Sequence, residues 1–154
     1  MILRVGLISD THGLLRPEAI EFLRGSNFII HAGDICEPKI LSELRALAPV
    51  TAVRGNNDHG PWAEDLRSAE FLRVDAVTVY VIHDLADLNI DLSSAGVHVV
   101  VSGHSHKPHI EERNGVLFVN PGSSGPRRFR LPVAAAELLV EGESVTARII
   151  ELLN

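Results

Sequence analysis

Five times along this chain a short apolar run breaks off into aspartate, asparagine or histidine, three times through a glycine. Leu3 to Ser9 leads into Asp10-Thr11-His12, Phe28 to Ala32 into Gly33-Asp34, and Val50 to Arg54 into Gly55-Asn56-Asn57-Asp58. The run ending at Ile82 meets His83-Asp84, and Val97 to Val101 meets Ser102-Gly103-His104-Ser105-His106. Aliphatic runs of this length suit buried strands. Ligands of open α/β sheets bind beyond the carboxyl ends of the strands. Five such ends can therefore present Asp, Asn and His to one crevice.

The segments between these runs set the fold class. Pro17 and Glu18 open a helix whose inner face includes Ile20, Phe22 and Leu23, with Gly25 at its end. Ile40, Leu41, Leu44 and Leu47 recur at helical spacing until Pro49 stops them. The resulting β-α-β-α-β order predicts a parallel sheet with right-handed crossovers. Further strands are expected over Phe71 to Val74 and Val77 to Ile82, then a brief helix over Leu88 to Ser94. Ile110 to Arg113 and Val116 to Val119 flank Asn114-Gly115, a two-residue hairpin signal. Val133 to Val140 and Val145 to Leu152 can pair across Gly142, although their Ala and Glu content also suits helix. The reading is one mixed α/β domain over residues 1–154.

Composition narrows the class of function. With 154 residues, 45% of them hydrophobic, the chain can bury a core without disulfide staples. Cys36 is the single cysteine, so an intrachain disulfide is excluded; it reads as a small buried side chain rather than a soft metal ligand. No apolar run approaches the roughly 20 residues of a membrane span, and the apolar N-terminal run is too short for a signal peptide. A soluble, cytoplasmic protein is the expectation. A formal charge of −6 disfavours an extended nucleic-acid surface. It leaves room for a phosphate substrate, because bound cations can reverse a local field.

Spacing supports reading the strand-end residues as candidate metal ligands. In extended backbone, residues i and i+2 point the same way, so Asp10 can share an ion with His12, and His104 with His106. Gly33, Gly55 and Gly103 each precede a candidate ligand, where a missing Cβ permits close backbone approach. Mixed imidazole and carboxylate donors suit Mn, Fe, Co, Ni or Zn better than Ca or Mg. Taken singly, Asp10 and Asp34 also suit helix caps, Asn56 to Asp58 a turn, and His83 a hydrogen-bonded core position. All of these would have to coincide at successive strand ends for the metal reading to fail.

In this order the motifs resemble the calcineurin-like metallophosphoesterase superfamily, and within it the small single-domain bacterial and archaeal phosphodiesterases. The resemblance is carried by Asp10-Thr11-His12, Gly33-Asp34, Gly55-Asn56-Asn57-Asp58, His83, Gly103-His104-Ser105-His106 and Asn120-Pro121-Gly122-Ser123. It implies a sandwich of two mixed β-sheets flanked by helices, with two divalent metal ions at the strand ends. By carry-over, Asp10, His12 and His106 hold the first ion, Asn56, His83 and His104 the second, and Asp34 bridges them. Manganese is the leading choice, with nickel, cobalt, iron or zinc as alternatives. Two departures stand out. Asn57 replaces the histidine that larger members place after the motif asparagine, and His83-Asp84-Leu85 replaces a His-Gly-His pattern.

The resemblance implies hydrolysis of a small phosphodiester by a hydroxide bridging two ions. Asn57, Asp58 and His104 are the expected catalytic residues, with Asp58 orienting Asn57 or a ligand from behind. Without a histidine at Asn57, aryl or cyclic diesters are expected to react faster than alkyl monoesters. Asn57, His109 and Arg127 are candidate substrate contacts, whereas His31, His59 and His98 read as structural or solvent-exposed. The alternative is a metal-binding protein-interaction scaffold of the same fold. An exposed sheet edge could support a homo-oligomer, with no residue pattern marking one.

Overall fold

The computed structural model describes residues 1–153. Among the described residues, ten strands form two sheets of five. The first contains β1 (Leu3–Ile8), β2 (Phe28–His31), β3 (Val50–Ala52), β9 (Ala134–Glu141) and β10 (Ser144–Glu151), in the order β10-β9-β1-β2-β3. The second contains β4 (Ala69–Val74), β5 (Val77–Ile82), β6 (Val99–Val101), β7 (His109–Arg113) and β8 (Val116–Asn120), in the order β4-β5-β6-β8-β7. Both are mixed: β1, β2 and β3 run parallel, as do β5, β6 and β8, while β9, β10, β4 and β7 pair antiparallel with their neighbours.

Neighbouring residues of the central strands go to opposite faces, which explains why these runs are apolar throughout rather than alternating. Val5, Leu7, Ile30, Val79, Val81, Val99 and Val101 fill the space between the sheets. Ile8 and Ile29 face outward, where α1 (Pro17–Leu23) and α2 (Pro38–Arg45) cover them with Leu23, Ile40, Leu41 and Leu44. Tyr80, Ile82, Val100 and Phe118 face the other side and meet Leu88, Ile90 and Leu92. Burying each of these aliphatic side chains contributes roughly 1.5–3 kcal/mol.

Both helices begin with proline at the first turn, as the sequence indicates. The Asn114-Gly115 hairpin forms with Arg113 opposite Val116 and positive φ at both turn residues, 52° and 80°. The final segments are strands, paired over their whole length from Ser144↔Glu141 to Glu151↔Ala134. One expectation needs correction. The helix expected over Leu88 to Ser94 is absent: a single 3-10 turn lies earlier, at Leu85–Asp87, capped by the Asp84 carboxylate on the Ala86 N–H. Asp91 instead accepts the N–H groups of Ser93 and Ser94, closing a local turn that competes with helix. A short α3 (Pro61–Glu64) was not foreseen.

The parallel β-α-β crossovers leave the carboxyl ends of β1, β2 and β3 on one rim. The ends of β5, β6 and β8 come to that rim from the second sheet, and hydrogen bonds tie the two sets together. Ser124 N–H donates to the Ser9 carbonyl and His104 N–H to the Asp10 carboxylate across the two sets. Asp10 N–H to the Gly33 carbonyl and Gly103 N–H to that of His83 join ends within each sheet.

Candidate metal centre

The backbone at this rim bends sharply. Asp10, His12, Asp34, His104 and His106 all have φ between 46° and 71°. Left-handed backbone is uncommon outside glycine, and Asp, Asn and His are among the residues enriched there. This corrects the extended-backbone argument for their spacing. Asp10 and His12 do face a common point, but His104 and His106 do not: each joins a different part of the cluster.

The donor atoms converge around two carboxylates. Asp10 Oδ1 lies 3.4 Å from His106 Nε2, 3.7 Å from His12 Nε2 and 3.9 Å from His83 Nε2. Asp34 Oδ2 is 3.4 Å from His83 Nε2 and 3.5 Å from His12 Nε2. Asn56 Oδ1 sits 3.0 Å from His83 Nε2 and 3.2 Å from His104 Nδ1. All seven side chains singled out from the sequence therefore meet in one continuous cluster. Two subsets bring three donor atoms within 4.8 Å of one another: Asp10, His12 and His106, and Asp10, Asp34 and His83.

Several of these atoms have no protein partner. Asp10 Oδ1 and His12 Nε2 are buried without a hydrogen bond. The other Asp10 oxygen is satisfied by Ser9 Oγ at 2.6 Å and by the His104 N–H at 3.1 Å. Leaving a buried polar atom unpaired costs about 1–3 kcal/mol. A bare carboxylate oxygen facing three imidazole nitrogens is the donor set of a divalent cation, and the mixture of N and O suits a first-row transition metal.

The electrostatics agree. Burial alone would raise the Asp10 carboxyl, but His106, His12, Ser9 and the charge of His83 outweigh it and hold the group well below the usual range. Burial likewise opposes ionisation of Asp34, where His83 and two hydrogen bonds from Asn57 prevail and keep it depressed. Burial would lower His83, yet Asp34, the Ala32 carbonyl and Asp10 push it up to about 9. Its Nδ1 lies 2.7 Å from the Ala32 carbonyl oxygen and donates to it, so Nε2 faces the cluster. Cys36 is half-buried, with Sγ 3.8 Å from His12 Nδ1. Burial and the carboxylates of Asp58 and Asp34 push its thiol up to about 11, which disfavours the thiolate a metal requires.

Around the cluster the packing explains the glycines and much of the polar sequence. A Cβ on Gly55 would overlap the Asp34 amide and carboxylate, and one on Gly103 would overlap Ser9 Oγ and the Asp10 carboxylate. Asp58 does not orient Asn57. Its buried carboxylate instead accepts the backbone N–H groups of Asp34, Ile35, Cys36 and Gly55 at 2.8–3.0 Å, tying two loops together. Asn57 is held by Asp34, through its N–H at 2.8 Å and its side-chain amide at 2.9 Å. His31 accepts from the Gly33 N–H and contacts Thr11 Oγ1, the structural role expected of it.

Of the substrate-side candidates, Asn57 thus lies in the cluster against Asp34, whereas His109 does not. His109 starts β7 and contacts Glu111 at 3.2 Å, beside Lys107 and Phe118 in a separate pocket of about 290 Å³. Arg127 is exposed on the segment after Gly125 and makes no hydrogen bond or ion pair among the described residues. A cleft of about 530 Å³ does adjoin the cluster, with Arg54, Asn56, Tyr80, His83, Asp84 and Asn89 in its walls. Sequence reasoning did not find it, because β3, β5 and the 84–89 turn meet there only in the folded chain.

Residues 3–142 match the model of the calcineurin-like phosphoesterase superfamily domain. The chain belongs to that superfamily. A probable metallophosphoesterase of Methanothermobacter thermautotrophicus is 37% identical, over 95% of this chain and 91% of its own length. Among solved structures, Vacuolar Protein Sorting 29 of Cryptosporidium parvum superposes with a TM-score of 0.85 at 21% identity, covering 99% and 93% of the two chains. A novel archaeal phosphodiesterase superposes with a TM-score of 0.78 at 25% identity, covering 96% and 100%. The calcineurin-like phosphoesterase fold accounts for both mixed sheets and for the rim on which the cluster forms.

Proposed function

We propose that this calcineurin-like phosphoesterase is a phosphodiesterase working with two divalent ions. Asp10, His12 and His106 would hold one ion and Asn56, His83 and His104 the other, with Asp34 between them. The observation that carries this reading is the buried, unpartnered Asp10 Oδ1 with three imidazole Nε2 atoms within 3.9 Å. Bound there, such ions supply a nucleophile from water at neutral pH, neutralise phosphate charge and stabilise an in-line displacement.

The chain's own residues orient the proposed ligands. The Ala32 carbonyl holds the His83 tautomer, Ser9 and the His104 N–H engage the Asp10 oxygen turned away from the cluster, and Asp58 anchors the loops bearing Asp34 and Asn56. Asn57 sits against Asp34 with an amide that can donate to a phosphate oxygen but cannot deliver a proton to a departing alkoxide. A leaving group that departs unprotonated is therefore favoured, which supports aryl and cyclic diesters as substrates. Manganese is the first ion to test, followed by nickel, cobalt, iron and zinc.

The test is chelation, reloading with single metals and assay on a phosphoester panel. Expected is metal-restored hydrolysis of an aryl diester, lost in D34A and H104A and exceeding that of alkyl monoesters. The competing reading is a metal-binding interaction scaffold, supported by the fold shared with Vacuolar Protein Sorting 29. Metal uptake without any diester hydrolysis would favour it.

A further inference from the structure

Asp84 occupies the position directly after His83, at the end of β5 and on the wall of the 530 Å³ cleft. Its two carboxylate oxygens have different partners. Oδ1 accepts the Ala86 N–H at 3.0 Å and caps the turn Leu85–Asp87, so the carboxylate is anchored to its own backbone. Oδ2 points to His104 Nε2, 3.6 Å away. The other nitrogen of that ring, Nδ1, faces Asn56 Oδ1 at 3.2 Å, on the cluster side. His104 thus lies between an inward contact at Nδ1 and a carboxylate at Nε2. Its side chain is 47% exposed, and the ring otherwise meets the His83 ring edge-on at 5.2 Å.

We infer that Asp84 is a positioning residue for the second ion, acting through His104, in an inference that rests on the dinuclear reading. A carboxylate 3.6 Å from Nε2 favours the proton on that nitrogen and leaves the Nδ1 lone pair free for a cation. Its charge also biases the ring orientation and increases the basicity of the nitrogen that binds. His83 is oriented in a comparable way by a hydrogen bond of 2.7 Å from its Nδ1 to the Ala32 carbonyl. The two imidazoles that flank Asn56 are therefore oriented from outside by different acceptors, one a carbonyl and one a carboxylate. The carboxylate brings a negative charge beside the group of ligands that contains no carboxylate of its own apart from the shared Asp34.

The two oxygens also show how to separate this role from loop structure. D84N keeps an oxygen for the Ala86 N–H but presents no charged acceptor to His104, whereas D84A removes both. Full-length chelated protein is titrated with Mn²⁺ or Zn²⁺ by calorimetry, and the two dissociation constants are followed separately. D84N is expected to weaken the second ion about 10–100-fold, as loss of such outer partners does elsewhere, and to leave the first ion unchanged. In an H104A background D84N should change neither constant. Equal second-ion affinity in D84N and the wild type, or an undiminished effect in H104A, overturns the inference while leaving the phosphodiesterase proposal intact. A wild-type protein that binds fewer than two ions overturns the dinuclear reading, and this inference with it.

Discussion

Asp58 offers the sharpest test of how this site is held, because its role can be separated from any bound ion. Its carboxylate is fully buried and accepts four backbone N–H groups, two on each oxygen: Ile35 and Cys36 on Oδ1, Asp34 and Gly55 on Oδ2. In D58N one oxygen becomes an NH₂ group, so two of those N–H donors would face another donor. Water cannot substitute, since the side chain has no exposed surface. Charge-assisted bonds contribute about 1.5–3 kcal/mol each, so two lost bonds amount to roughly 3–6 kcal/mol. That is a large share of the roughly 5–15 kcal/mol by which a domain is stable. At about 2–4 °C per kcal/mol for a chain of this size, Tm should fall by about 6–24 °C. Urea unfolding of chelated protein checks this, with the midpoint expected to drop and the slope to stay constant. A D58N protein within about 1 kcal/mol of the wild type would refute the assignment of Asp58 as the tie between the two loops.

Other consequences can be measured independently. His83 titrates near 9 in the metal-free protein, and an ion must displace that proton; loading at pH 7.5 should therefore release about one proton from His83, and progressively less above pH 9. Calorimetry in two buffers of different ionisation enthalpy reads the release, and identical heats would contradict it. The same raised value means that the His83 contribution to metal-free stability is fully present below about 6.5 and is lost as pH rises through about 9. Glu137 works in the opposite direction. Burial opposes its ionisation, but Arg4 at 2.6 Å and Arg148 at 2.7 Å hold its carboxyl below the ordinary value, so its contribution is present above about 4.5 and is lost as pH falls through the lower folded value. E137Q should cost about 2 kcal/mol at pH 7, less than a fully enclosed pair because Arg148 is largely exposed, and should flatten the acid limb of a denaturation profile.

The strands were legible because β-branched and aliphatic runs have few alternatives once both faces are buried. Val99 to Val101 illustrates this, with consecutive valines entering different cores. The Asn114-Gly115 turn was legible because two successive positive φ values suit that pair. The identity of the seven clustered side chains was legible for the same local reason: each stands where an apolar run stops. Their backbone conformation was not, since the left-handed geometry of Asp10, His12, Asp34, His104 and His106 depends on loops from both sheets meeting at the rim. Nor was the role of Asp58, whose partners at Asp34, Ile35 and Cys36 lie more than twenty residues away in the chain. Leu88 to Ser94 misled because its apolar residues, Leu88, Ile90 and Leu92, pack on the outer face of the second sheet without a helix.

The division of labour between the sheets has a consequence for how this protein comes into being. Loops of the first sheet bring both carboxylates, His12 and Asn56; the second brings the remaining three imidazoles. Neither half owns all seven, so a chain with both sheets formed but not yet pressed together would lack the full set of ligands. Metal capture therefore reports on the closing of the sandwich, and a change deep among the valines between the layers can silence the rim without touching it.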